Sequence, residues 1–192
     1  MKVKAILIIS ALLIVLSVGC SKKAEVTPET PTPPPTTTTP PETTPDVVAT
    51  ASIVDTEAAF EKAISNEGTW IIATLKDLSF DKDLVIEGEY KNGKKDDAGK
   101  DIMQRKVALY TQDEDRNVTA RYILTAPKLT FSSPMGSIEH GTFKGDLYVT
   151  VSNFQLKDAT IDGNIYFTND EAKSTFKMDA DSKVTGVQEM EK

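Results

Sequence analysis

Phe143-Lys144-Gly145-Asp146-Leu147-Tyr148-Val149 returns 18 residues later as Ile161-Asp162-Gly163-Asn164-Ile165-Tyr166-Phe167. In both copies apolar and polar residues alternate on either side of a glycine, which is the period of a strand interrupted by a tight corner. The same apolar-x-Gly step stands at Ile86-Glu87-Gly88 and at Val184-Thr185-Gly186. Gly163 and Gly186 are 23 residues apart, the excess falling between Asn169 and Lys173. Asp77-Leu78-Ser79-Phe80 is a further echo, of Asn153-Phe154-Gln155-Leu156. Three short strands per period of roughly 20 residues, with Asp, Asn, Lys and Gly at the corners, predict the coils of a β-solenoid. Stacked coils set like positions over one another, so Leu147/Ile165 and Phe154/Phe176 are expected ladders. The alternative is a β-sandwich, which needs hairpin turns at a paired spacing of about 8–12 residues. The one good hairpin signal, Asn92-Gly93, is not flanked by matched strands.

N-terminal to the repeats, the stretch from Asp55 to Gly68 changes to a helical period. Asp55 or Thr56 supplies a cap, Glu57 complements the positive dipole end, and Gly68 is placed to close the helix. Ala59, Phe60, Ala63 and Ile64 share one face, so a helix over 56–66 must cover something apolar. The open end of a stack of strands is such a surface, and a helix just before the first coil is positioned to cap it. Lys91–Lys106 is polar and reads as an insertion. With its cap, this pattern resembles the right-handed parallel β-helix proteins over about residues 55–187, and the short coil is similar to the bacterial bactofilin-type solenoids. The resemblance implies a mainly β fold over residues 51–192, a small right-handed parallel β-helix with an N-terminal capping α-helix.

The remainder of the chain has no material for a core. All 13 aromatic residues lie between Phe60 and Phe176, and eight of the ten prolines between Pro28 and Pro45. After Val26 the segment up to Pro45 contains only Thr, Pro and Glu. Proline removes backbone donors there, and polyproline II at ~3.1 Å per residue would reach on the order of 60 Å. Residues 20–50 are therefore expected to form a disordered stalk. Met1-Lys2-Val3-Lys4 and the apolar run over 5–16 read as the n- and h-regions of a signal peptide covering 1–19. That segment ends in Leu16-Ser17-Val18-Gly19-Cys20, which resembles a bacterial lipoprotein signal, with Ser17 standing where an aliphatic residue is usual. The resemblance implies that Cys20 becomes an acylated N-terminus, held in the bilayer at the extracytoplasmic face of the cell membrane.

Composition narrows the chemistry. The 192 residues hold 22 Lys and Arg against 29 Asp and Glu, a formal charge of −7; loss of Lys2 and Lys4 with the signal leaves 20 against 29, or −9. An anionic surface or a nucleic acid would repel such a domain. One Cys and one His exclude an internal disulfide and a Cys/His metal cluster, and no cofactor is expected. Asp113-Glu114-Asp115-Arg116-Asn117 opens like a calcium loop, but Val118 stands at the glycine position and Leu124 at the glutamate position, so a solvated corner is expected. His140 beside Glu139 suggests acid/base work, yet neighbours on a strand point to opposite faces. Glu87, Asp162 and Asp146 are the carboxylates that stacking could bring together for glycoside hydrolysis. Tyr148 and Tyr166 alternate out of phase with the apolar positions and should face outward on adjacent coils, where they are candidate ligand-facing residues.

These readings lead to a lipid-anchored, surface-displayed, non-catalytic binding or structural module of the bacterial envelope. Its expected partners are the bilayer, through acylated Cys20, and a cell-wall glycan or envelope protein. A polysaccharide-active β-helix enzyme is the first alternative and a self-assembling solenoid scaffold the second.

Overall fold

A computed structural model describes residues 51–192. The signal-peptide and stalk readings, Cys20 included, lie outside the described residues. Strand β1 (Ala51–Val54) leads into helix α1 (Glu57–Ile64), whose N-cap Thr56 accepts from the Ala59 N–H at 3.2 Å. The first repeat follows as β2 (Ile71–Thr74), β3 (Leu78–Ser79) and β4 (Leu84–Ile86). A hairpin of β5 (Lys91–Lys95) and β6 (Asp101–Met103) precedes β7 (Lys106–Ala108). A second hairpin, β8 (Tyr110–Gln112) and β9 (Val118–Arg121), separates β7 from the long β10 (Ile123–Phe131). Then come β11 (Ser137–Glu139), β12 (Thr142–Val149), β13 (Gln155–Lys157), β14 (Thr160–Asp162) and β15 (Ile165–Phe167). Helix α2 (Asp170–Thr175) precedes the last strands, β16 (Lys177–Met178), β17 (Lys183–Val184) and β18 (Gln188–Met190).

The chain is mainly β, and both large sheets are parallel throughout. One runs β1-β2-β7-β11-β13-β16; the other runs β17-β14-β12-β10-β3, with β4 also on β10, β15 on β12 and β18 on β15. Among the described residues antiparallel pairing is confined to the two hairpins. A sandwich built from hairpins does not have this pattern, so the sandwich alternative fails and the arrangement is consistent with a β-helix-like fold.

Register explains the core. Ile72, Val107, Ile138, Leu156 and Met178 stand in one column. Leu78, Leu124, Phe143, Ile161 and Val184 form a second. Ile86, Phe131, Val149, Phe167 and Met190 form a third. Leu147 lies on Ile165 as expected, and Phe154 stacks on Phe176 with centroids 6.3 Å apart. Between the last two repeats α2 absorbs the longer spacing, and Asn169 caps it by accepting from the Ala172 N–H at 2.8 Å.

Four expectations change. Ile86 belongs with Phe131 and Phe167, so Ile86-Glu87-Gly88 is not equivalent to the steps at Gly145 and Gly163. Likewise Leu78 stacks in the column of Ile161, whereas Phe154 packs against Phe131 and Phe176. Corners made from the same few polar residues let a sequence match slip by one strand. Gly68 does not close the helix, which ends at Ile64 with Ser65 as an extended C-cap. A Cβ at Gly68 would lie 1.9 Å from the Ala63 carbonyl oxygen, so glycine serves a close approach there. The fully buried Arg105 caps α1 instead: its guanidinium donates to the carbonyls of Ala63 and Glu87 and, at 3.2 Å, of Ser65. It also stacks 4.1 Å from the Tyr90 ring centroid. Finally, Asn92-Gly93 lies within β5, and the hairpin turns where Asp96 accepts from the N–H groups of Ala98 and Lys100.

Candidate functional site

Tyr148 and Tyr166 are register partners on β12 and β15, with ring centroids 4.9 Å apart and planes inclined at 40°. They form the expected pair, but not an open aromatic platform. From the β10 side, the Lys128 ammonium sits 3.7 Å from the Tyr148 centroid. Tyr148 is thus held between a cation and its neighbour, and Glu189 is the register partner of Tyr166 on the other side. Partial burial, with the Glu191 carboxylate next, pushes the Tyr148 phenol above its ordinary value. The ring remains neutral near pH 7.

A different place gathers exposed apolar surface. On the outer side of β1, β2 and β7, a groove of about 290 Å³ is floored by Ile53, Ile71, Ala73 and Ala108 and edged by Leu75 and Tyr110. Ile53 is 66% exposed and Leu75 45%. Tyr110 arrives here because hairpin β8–β9 leaves the stack directly after β7, and Thr111 and Gln112 of that hairpin complete the wall. Lys106 borders the floor, its ammonium about equidistant from the rings of Trp70 (6.0 Å) and Tyr110 (5.9 Å).

Beyond Lys106 the same outer face becomes ionic. Glu139 accepts from the ammoniums of Lys106 and Lys157, each at 3.0 Å, and from the Ser137 hydroxyl at 3.1 Å. Burial alone would raise this carboxyl, but the two lysines outweigh it and hold Glu139 below the ordinary range. His140, at φ 59°, turns the corner after β11. Its Nδ1 lies 3.0 Å from Asp158 and its ring meets Tyr110 edge-on at 4.5 Å. Arg121 of β9 pairs with the same Asp158, tying the hairpin back to the stack. The Arg121 hydrogen bond, followed by that of His140, holds Asp158 below the usual carboxylate range.

The other candidates separate. Glu87 follows β4 in the first repeat, and Asp162 ends β14, three pairings away through β10 and β12. At ~4.8 Å per strand the two are about 14 Å apart along the stack, beyond the ~5–10 Å that paired carboxylates need. Asp146 is committed to Asn164, accepting from its N–H at 3.1 Å and its Nδ2 at 2.9 Å. Asp113 is a hairpin-turn residue, accepting from the N–H and Nδ2 of Asn117. Among the described residues no cluster of three or more His, Cys, Asp or Glu has metal-binding geometry. His140 and Glu139 are close in sequence, but each is taken up by different charged partners on its own side.

The groove was not anticipated from the sequence, although a signal for it exists. Ile71-Ile72-Ala73-Thr74-Leu75 does not alternate, and a continuous run of this kind marks a strand with apolar residues on both faces. Comparison with protein-family models, curated proteins and solved structures returns no match. Among the described residues no helix is long and apolar enough to cross a membrane.

Proposed function

We propose that this chain is a lipid-anchored, extracytoplasmic binding module of the bacterial envelope, without catalytic activity. Its folded part is read as a right-handed β-solenoid of five coils with α1 as the N-terminal cap. Three inward columns that recur over five repeats support the solenoid, and the burial of Phe60, Ala63 and Ile64 supports the cap. The sequence around Cys20 supports the anchor, and the Pro/Thr run supports a stalk. The observation that carries the binding role is the groove beside Tyr110. Scattered exposed aliphatics are ordinary, but a contiguous group walled by an inserted hairpin marks a ligand or partner site. The hairpin is not needed to continue the stack, and its link to Asp158 holds Tyr110 in place. The chemistry there suits holding a ligand rather than transforming it, since Glu139 and Asp158 are both neutralised by cations.

Retention of the full chain on cell-wall sacculi and on envelope-protein fractions tests this reading. The wild-type chain should be retained by at least one of them. Tyr110→Ala should weaken retention about tenfold, as loss of an interface anchor does, and Tyr166→Ala should leave it unchanged. Equal retention of Tyr110→Ala and wild type would overturn the groove as the binding surface.

A further inference from the structure

We propose that β1 is an acceptor for an added strand: an extended, uncharged segment of a partner polypeptide pairs with its free edge, in the cleft between β1 and α1. This rests on the binding-module reading and names the class of partner. β1 ends its sheet and pairs only with β2 among the described residues. The Val54 carbonyl accepts from the Leu75 N–H at 2.9 Å, so Val54 and Ser52 face β2. In a parallel ladder alternate residues face opposite neighbours, which turns the N–H and C=O of Ile53 toward the open side. That side is a cleft of about 210 Å³, lined by Ile53 and Val54 on one wall and by Ala59, Lys62, Ala63 and Glu67 on the other.

The two ends of the sheets treat their edges differently. At the far end, β16, β17 and β18 place Lys177, Lys183 and Glu189 at outward positions, charges of the kind that discourage further pairing. Ala51-Ser52-Ile53-Val54 carries no charge and no proline, and it exposes Ile53 beside the cleft. An open edge needs donors and acceptors that alternate at strand spacing, and an extended polypeptide supplies both where a glycan or an acyl chain does not. Ala59 and Ala63 leave room against α1 for the inward side chains of an added strand. Its outward side chains would sit beside Ile53 and lengthen the groove on the side away from β7 and Tyr110. Lys62 and Glu67 offset each other at the cleft, which favours a segment without charge.

A fluorescein-labelled hexapeptide alternating Thr and Val is the probe, titrated into the full chain and followed by anisotropy. Two N-methylated versions, one for each alternate set of amides, accompany it. The parent should bind. The version whose blocked amides face β1 should lose at least about tenfold in affinity, a pair of backbone hydrogen bonds being worth that much, and the other should bind like the parent. Ile53→Pro removes an N–H that β2 does not use and should match that loss with the thermal midpoint retained; Ile53→Thr, which keeps the N–H, should bind more tightly than Ile53→Pro. If Ile53→Pro fails to fold, the N-methylated pair on the wild-type chain decides alone. Equal binding of both N-methylated peptides, no binding of the parent at about 1 mM, a weak-binding range for any peptide, or dimerisation of the chain through this edge would overturn the proposal. Retention on envelope fractions with no peptide binding would sink the added strand and leave the binding module standing; peptide binding without retention would do the reverse.

Discussion

At the residue scale, the most constrained positions are glycines at the corner between two strand columns. Gly145 and Gly163 have φ of 138° and 156°, and a Cβ on Gly163 would stand 2.1 Å from the Gly145 carbonyl oxygen. The same atom on Gly145 would stand 1.9 Å from the Ala126 carbonyl oxygen. Stacked backbones at that corner leave no space for a side chain, and for this reason the glycine recurs with the repeat. Gly163→Ala should cost about 2–3 kcal/mol, strain and backbone displacement together, measured by chemical denaturation. Glu139 is constrained electrostatically. Its folded-state carboxyl lies below the ordinary value of 4.5 that it takes in the unfolded chain. As pH falls between those two values the unfolded chain takes up a proton that the folded chain refuses, so the stability contributed by Glu139 is present above that window and lost through it. Glu139→Gln should therefore flatten the acid side of the stability curve below about pH 4. A slope should remain from Asp158, which Arg121 and His140 also hold low. An unchanged acid limb in Glu139→Gln would show that the lysine pairs do not set it. The pairing of Glu139 with Lys106 and Lys157 was not legible in the sequence, because the three lie on different strands and meet only through register.

At the element scale, α1 was legible and its closure was not. The apolar face, the Thr56 cap and the acidic first turn can be read along the chain, being local in sequence. The residue that satisfies its last carbonyls, Arg105, is 42 positions beyond Ala63 and sits at the end of a hairpin insertion that looks merely polar. Arg105→Ala should leave the buried Ala63 carbonyl and the partly buried Glu87 carbonyl without the guanidinium donor and release the Tyr90 contact, while Ser65 keeps the Tyr90 hydroxyl and the Gly68 N–H. The expected loss is about 1–3 kcal/mol, the range for leaving a buried acceptor unsatisfied. Hydrogen exchange should show α1 losing protection before the β10–β12 pairing does. Simultaneous loss at both places would mean that Arg105 supports the parallel sheets as well as α1. The hairpins illustrate the same contrast. That Lys91–Lys106 leaves the repeat follows from its polarity, but its turn at Asp96 depends on side-chain acceptance within the loop. Hairpin β8–β9 hides in a segment that reads as a single corner, since its two strands are only three and four residues long.

At the scale of the whole molecule, the net charge bears on the proposed anchor. A chain at −9 after loss of Lys2 and Lys4 is repelled by an anionic surface, so membrane attachment under this reading depends on acyl chains at Cys20. Growth with a labelled fatty acid should mark the wild-type chain and not Cys20→Ala, and equal labelling of both would sink the anchor.

The sequence by itself determined the mainly β class, the recurrence that stacks Leu147 on Ile165, the amphipathic α1 and the polar corners. Each depends on alternation or spacing over a few residues, which local sterics and burial impose directly. Tertiary structure alone decided which echo was true register and that Tyr148 lies under Lys128. It also decided that Glu87 and Asp162 stand apart, and that Tyr110, Ile53 and Leu75 share a groove. Those outcomes depend on pairing between distant strands, and a shift of one strand in the alignment moves every side chain to another side of the stack.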